Sequence, residues 1–343
     1  MKKFSFTFVH RTAIFKNNSM SIKKNIRWGI IGCGAVTEVK SGPPYQNTLG
    51  FSLDAVMRRD FEKAKDFAER HGVPKYFDDA EQIINDPEID AIYIATPPDT
   101  HKFYGLQVAK AGKPCCIEKP LAPSYEDGIA IVEAFKHKNI PLFVAYYRRS
   151  LPRFLKIEKW LKSNEIGEVK HIHWSFSKPA NDIDLSSTYN WRTDKKVAPG
   201  GYFDDLASHG LDLFAFLLGD FKKVHGLSTN QQSLYSAKDA ITSCWMHKNG
   251  ITGGGSWNFG TKDRNDKVEI IGSEGKIIFS IFKEEDVILE NDKGTESIFI
   301  ENPKHVQQYH VENLKAALME GKNHPSTGES ALHTSWVMSE ILR

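Results

Sequence analysis

Ile26-Arg27-Trp28-Gly29-Ile30-Ile31-Gly32-Cys33-Gly34-Ala35-Val36-Thr37 sets the organisation of the whole chain. Residues 26–31 form a short apolar run that stops at Gly32. Two glycines follow at a spacing of two, and small residues then open a helix. A strand that turns through glycine into a helix is the first half of a βαβ unit. The same grammar repeats outward. Strands are predicted at 51–57, 91–95, 114–118 and 142–145, and helices at 61–71, 102–111 and 126–137, punctuated by Gly72, Pro74, Thr96-Pro97-Pro98 and Gly112. Short apolar strands alternating with helices predict a doubly wound, parallel α/β sheet over residues 25–146.

After Tyr147 the pattern changes. A helix at 155–162 leads into longer β-like stretches at 169–176, 240–247, 251–259, 267–271, 276–279 and 287–289. Turn pairs such as Asn249-Gly250 and Glu274-Gly275 separate several of them. Consecutive strands with tight turns predict a large, mostly antiparallel sheet. Helices at 306–319 and 330–342 close the chain. Residues 147–343 are therefore expected to form an α+β domain, and residues 1–24, basic and without an acidic residue, a disordered extension.

The 343 residues carry 45 basic and 43 acidic side chains, a formal net charge of +2. That balance leaves no electrostatic footprint for nucleic acid or an anionic membrane. No apolar run reaches the roughly 18 residues needed to span a bilayer. Cys33, Cys115, Cys116 and Cys244 show no paired ligand spacing, so no metal site is expected. Reduced thiols fit a cytoplasmic protein.

The glycine loop has the form G-x-G-x-x-small at the first βα junction, the fingerprint of a dinucleotide-binding Rossmann domain. Gly32 permits the turn and Gly34 lets the backbone approach a pyrophosphate, while Cys33, Ala35 and Val36 complete the loop. Thr37 stands where a third glycine is usual. The second strand ends in Val56-Met57-Arg58-Arg59-Asp60. Arg58 and Arg59 at its tip suit a 2′-phosphate through charge-assisted hydrogen bonds. Asp60 can instead cap the next helix. NADP(H) is therefore favoured over NAD(H).

Two further motifs carry chemistry. Glu118-Lys119-Pro120 ends a strand on the side where open α/β sheets bind ligands, and an ammonium there can hold a substrate oxygen. An isolated lysine would simply pair with a neighbouring acid. Gly200-Gly201 opens an apolar helix on which Asp205, His209 and Asp212 share one face. Asp205 is expected to orient His209 and support its charged form, making a proton acceptor or donor near neutral pH. A core histidine satisfied by a capping aspartate is the alternative.

In order and spacing, Gly32-Cys33-Gly34, Thr96-Pro97-Pro98-Asp99-Thr100-His101, Glu118-Lys119-Pro120 and Gly200-Gly201 with Asp205, His209 and Asp212 resemble the Gfo/Idh/MocA oxidoreductase family. The resemblance spans nearly everything from residue 25 to 343. It implies a hydride transfer between nicotinamide and a carbinol or carbonyl carbon of a sugar, cyclitol or related polyol. By matching position it implies Lys119 and His209 as catalytic groups, with Asp205 beside them. It also implies cofactor contacts from Thr96, Pro97, Pro98, His101, Glu118, Trp191 and Arg192, and a homodimer or homotetramer formed through the second sheet. Tyr147-Arg148-Arg149 departs from the Asn and Arg of many relatives. Two other functions occur on this fold: a glycosidase that uses bound NAD as a redox intermediate, and an NAD(P)-sensing regulator without catalysis.

Overall fold

The structure, a computed structural model, describes residues 25–186 and 188–343; the extension expected at 1–24 lies outside them. The first half runs β1 (Ile26–Ile31), α1 (Ala35–Val39), α2 (Gly42–Asn47), β2 (Phe51–Met57), α3 (Phe61–His71), β3 (Lys75–Phe77) and α4 (Ala80–Asn85). It continues through β4 (Ala91–Ile94), α5 (His101–Ala111), β5 (Cys115–Ile117), α6 (Tyr125–His137) and β6 (Leu142–Val144). Its six strands are all parallel in the order β3-β2-β1-β4-β5-β6. The chain builds outward from β1 to one side and then from β4 to the other. The crevice between the carboxyl ends of β1 and β4 is thus the topological switch point, where such sheets bind ligands. Gly32 and Thr96 meet there: a Cβ added to Gly32 would lie 2.7 Å from Thr96 Cγ2 and 2.9 Å from the Thr96 nitrogen, and its φ is +96°. Glycine is required on both counts.

The second half contains α7 (Pro152–Lys162), β7 (Val169–Ser177), α8 (Asp182–Leu185), α9 (Tyr202–Leu218), β8 (Phe221–Thr229), β9 (Ala240–His247) and β10 (Thr252–Asn258). It ends with β11 (Asn265–Gly272), β12 (Gly275–Phe279), β13 (Val287–Asn291), β14 (Gly294–Ile298), α10 (Gln308–Glu320) and α11 (Gly328–Leu342). The eight strands lie in the order β14-β13-β12-β11-β7-β10-β9-β8. Every neighbour pair is antiparallel except β7 with β10. The expected architecture, a Rossmann sheet followed by a mostly antiparallel one, is what the chain adopts.

Helix α9 is pressed onto the second sheet. Phe203, Leu211, Leu213 and Phe214 join Trp174, Phe176 and Trp257 in one buried core. Gly210 allows the approach, because a Cβ there would fall 2.4 Å from the Trp174 ring. Fixing α9 in this way leaves its polar stripe facing the first sheet. The last two helices bind the halves together. Val311 and Leu314 of α10 enter the core beneath the first sheet, while α11 places Ala331 in one core and Val337 and Ile341 in the other.

Two short helices follow the glycine loop. The helix after Gly34 lasts only five residues, and Pro43 and Pro44 begin a separate α2. Proline cannot continue a helix, having no N–H to donate. Strands β8 and β14, at the two edges of the second sheet, were not predicted; β8 includes the exposed Lys222 and Lys223, and β14 is almost wholly exposed. Among the described residues, no helix is long and apolar enough to cross a membrane.

Candidate active site

The glycine loop is shaped by its own backbone. Thr37, buried at the third-glycine position, donates its hydroxyl to the Gly34 carbonyl at 2.8 Å, tightening the turn. A Cβ on Gly34 would find nothing nearer than the Gly32 oxygen at 3.9 Å, so the space above the loop is open and a larger side chain would fill it. Ala35 is exposed and Val36 half-buried at this mouth. The Cys33 thiol points away into the core, where burial pushes it up to about 11. Its carbonyl accepts from Arg58 Nη1 at 3.3 Å. Arg58 therefore lies against the loop, and Arg59 beside it is exposed. Asp60 caps α3 by accepting from the Lys63 amide at 3.2 Å. The acid near the strand end is thus occupied, and the cationic Arg58 faces the cradle. Such a loop fits a dinucleotide.

The loop after β4 combines an exposed Pro97 and half-buried Thr96 with a buried Pro98 and His101. His101 is a strut. Its Nδ1 lies 3.0 Å from the Pro120 carbonyl and its Nε2 2.9 Å from that of Thr96, tying two loops of the switch point together. Burial lowers its pKa against the opposing pull of those carbonyls. Glu118 is also turned inward. Tyr93 and Gln307 donate to its Oε1 at 2.6 and 2.7 Å, and the Lys119 amide donates to Oε2 at 3.1 Å. Gln307 carried no signal in the sequence, since it reaches Glu118 from 189 positions away.

Lys119, joined to Pro120 by a cis peptide, projects onto α9. Its ammonium donates to the Asp205 carbonyl at 2.9 Å and to Asp205 Oδ1. Arg192 Nε donates to Asp205 Oδ2 at 2.9 Å, with its guanidinium stacked 4.3 Å from the Trp191 ring. Burial alone would raise Asp205, but the Lys119 and Arg192 charges outweigh it and hold the carboxyl well below its usual range. Trp191-Arg192 and Glu118-Lys119-Pro120, far apart in sequence, thus converge on one carboxylate.

This corrects the expectation for His209. Asp205 does not support its charged form, because both carboxylate oxygens are taken by Lys119 and Arg192. His209 is 6% exposed and its Nδ1 has no partner among the described residues. Burial, then the positive charges of Arg148, Lys119 and Lys40, hold its pKa well below the ordinary imidazole value. The ring is therefore neutral at physiological pH, the state that accepts a proton. Tyr147 and Phe282 flank it with ring centroids 5.6 and 5.9 Å away. Asp212, the third member of the stripe, is bound by Arg149 through two bonds of 2.7 Å and by the Thr334 hydroxyl at 3.1 Å. It anchors α9 to the end of β6 and to α11.

Comparison with known proteins identifies both halves of the chain. Residues 26–146 match the profile of an oxidoreductase family with an NAD-binding Rossmann fold, and residues 154–278 match the GFO/IDH/MocA C-terminal domain. Oxidoreductase P35 of Formosa agariphila is 39% identical over 262 residues, covering 76% of this chain and 81% of the relative. A levoglucosan dehydrogenase of Pseudarthrobacter phenanthrenivorans is 31% identical over 200 residues, covering 58% of this chain and 47% of the relative. A solved levoglucosan dehydrogenase in complex with NADH and levoglucosan shares the fold, with a TM-score of 0.82 at 22% identity, over 92% of this chain and 96% of that one.

Proposed function

The chain belongs to the Gfo/Idh/MocA oxidoreductase family, and we propose that it transfers a hydride between NADP(H) and a carbon bearing oxygen on a sugar or related polyol. One observation carries this reading: Lys119 is docked on α9 one helical turn from the buried His209. The relative named for levoglucosan, an anhydrosugar, supports the substrate class.

When bound, the nicotinamide ring supplies or accepts the hydride. The protein's part is to hold the substrate oxygen and manage one proton. In the oxidative direction His209 takes the hydroxyl proton as the C–H bond breaks and the C=O bond forms. In reduction it returns that proton. Lys119 donates a hydrogen bond to the same oxygen and stabilises its developing negative charge. Asp205 is a positioning residue, orienting the ammonium by accepting from it at two oxygens. The presence of both Lys119 and His209 at one place favours catalysis over a sensing role.

Residues 25–146 hold the cofactor along Gly32, Gly34, Ala35 and Val36, with Thr96 and Pro97 on the facing loop. Arg58, and Arg59 next to it, select the 2′-phosphate. Cys33, Pro98, His101 and Glu118 keep the cradle in shape from behind. Residues 147–343 bind the substrate and associate through the second sheet into a homodimer or homotetramer. The experiment is a panel of sugars, cyclitols and ketoses with each of NADP+, NADPH, NAD+ and NADH, followed by the absorbance of the reduced cofactor. Turnover with NADP(H) preferred is expected. No turnover with any member would overturn the reading.

A further inference from the structure

Arg148 sits on the 3-10 turn Tyr147–Ser150 after β6, with 6% of its surface exposed. Its Nε donates to the Ile281 carbonyl at 3.1 Å, but the buried Nη1 has no partner among the described residues. The guanidinium lies 5.0 Å from the Tyr147 ring and 4.8 Å from the Phe282 ring. Those are the same two rings that flank His209.

The neighbouring arginines make more bonds, and Arg153 Nε is the one other arginine nitrogen here left, among the described residues, without a partner. Arg149 is paired with Asp212 through two bonds, and Arg153 donates to the carbonyls of Ile281 and Lys283. Among the described residues Arg148 has no ion pair. A guanidinium cannot shed its proton, so it stays charged where it is buried. A buried charge is tolerated when it is paired, and an in-plane N–H without an acceptor is a loss that ring faces only partly offset. The buried Asp266 carboxylate is taken by the Trp174 indole, the Ser280 hydroxyl and the Phe282 amide. Asp205, on the same side of α9, is already held by Lys119 and Arg192, and Lys40 adds a further positive charge around His209. Arg148, Lys119 and Lys40 thus place positive charge around His209, while the Asp205 carboxylate is engaged by Lys119 and Arg192.

We infer that Arg148 is the anion-binding residue of the substrate pocket, and that the substrate is an acidic sugar, a uronate or aldonate, whose carboxylate pairs with this guanidinium. The inference rests on the hydride-transfer reading and narrows its substrate. A carboxylate matches the planar fork of donors that arginine presents. The cofactor's phosphates have a separate cation at the glycine loop, Arg58.

The test uses matched pairs that differ by a carboxylate for a hydroxymethyl group: D-glucuronate with D-glucose, D-galacturonate with D-galactose, D-gluconate with D-glucitol, and D-mannonate with D-mannitol. Hexose 6-phosphates form a third arm. In the wild-type protein kcat/KM is expected to be at least about tenfold higher for the carboxylate of an accepted pair. Arg148→Gln should collapse that ratio towards one, and Arg148→Lys should retain part of it. A preference for neutral or phosphorylated sugars, or a ratio that survives Arg148→Gln, overturns the assignment. Should Arg148→Gln fail to fold, the wild-type ratios and Arg148→Lys still decide. Turnover of neutral sugars alone overturns only the acidic substrate. No turnover of any member overturns the hydride-transfer reading as well.

Discussion

Lys119 and Asp205, 86 positions apart, form an ion pair that joins the first sheet to α9, and the ammonium also reaches the Asp205 backbone carbonyl at 2.9 Å. The carboxylate is shared with Arg192. Two cations on one acid fix where the lysine head points.

Asp205→Asn removes the charge but keeps the shape. Lys119 is then held by a neutral amide and the backbone carbonyl alone. We expect kcat/KM to fall about ten- to hundredfold, the scale of a small misplacement of a reacting group. Steady-state kinetics on the turned-over substrate, with the cofactor dissociation constant measured separately, checks this; unchanged kinetics would show that the pair does not position Lys119.

His209→Ala removes the proposed proton acceptor. Turnover should fall by about a hundred- to ten-thousandfold, the usual contribution of a general acid or base. Lys119→Ala should also reduce turnover sharply. Cofactor binding, followed by fluorescence titration, should survive in the His209 variant. Full activity in both variants would refute the site.

The pH dependence follows from His209. Its pKa in the folded protein is lowered, so the base is neutral and competent from alkaline pH down through the ordinary imidazole value. It becomes protonated, and oxidation fails, only at lower pH. The acid limb of log kcat/KM for oxidation should therefore have its midpoint below about 6.5. A midpoint at or above that value, with slope one and shifted in the histidine variant, would contradict the electrostatic account.

Arg58→Ala should weaken NADP+ more than NAD+. A charge-assisted hydrogen bond contributes about 1.5–3 kcal/mol, so the preference should shift roughly ten- to hundredfold towards NAD+. Equal loss for both cofactors would place the 2′-phosphate elsewhere.

The two glycines of the loop should separate folding from binding. Gly34→Val adds atoms into open space, so the melting temperature should hold while NADP+ binding is lost. Gly32→Ala puts a Cβ against Thr96 at a positive φ and should lower the melting temperature. Tight cofactor binding by the Gly34 variant would argue that the cradle lies elsewhere.

Much of this was legible in the chain because its signals are local. The helix at 61–71 and the strands at 26–31, 51–57 and 240–247 stand where periodicity and breakers put them. Strand β14 escaped because its side chains are almost all exposed and carry no apolar alternation; its pairing with β13 defines it. The end of α1 depends on how Gly42-Pro43-Pro44 lies against the glycine loop. A Cβ on Gly42 would meet the Thr37 carbonyl at 2.1 Å, a closeness visible only in the folded chain.

Residue order alone determined the alternating first half, the β-rich second half, the glycine loop and the identities of Lys119, Asp205 and His209. Tertiary structure decided their partners. One helical turn places Asp205 within reach of His209, yet a charged carboxylate goes to the nearest cations, and those come from Lys119 and Arg192 on remote segments. Spacing along a helix states which side chains share a face; only packing states what that face meets.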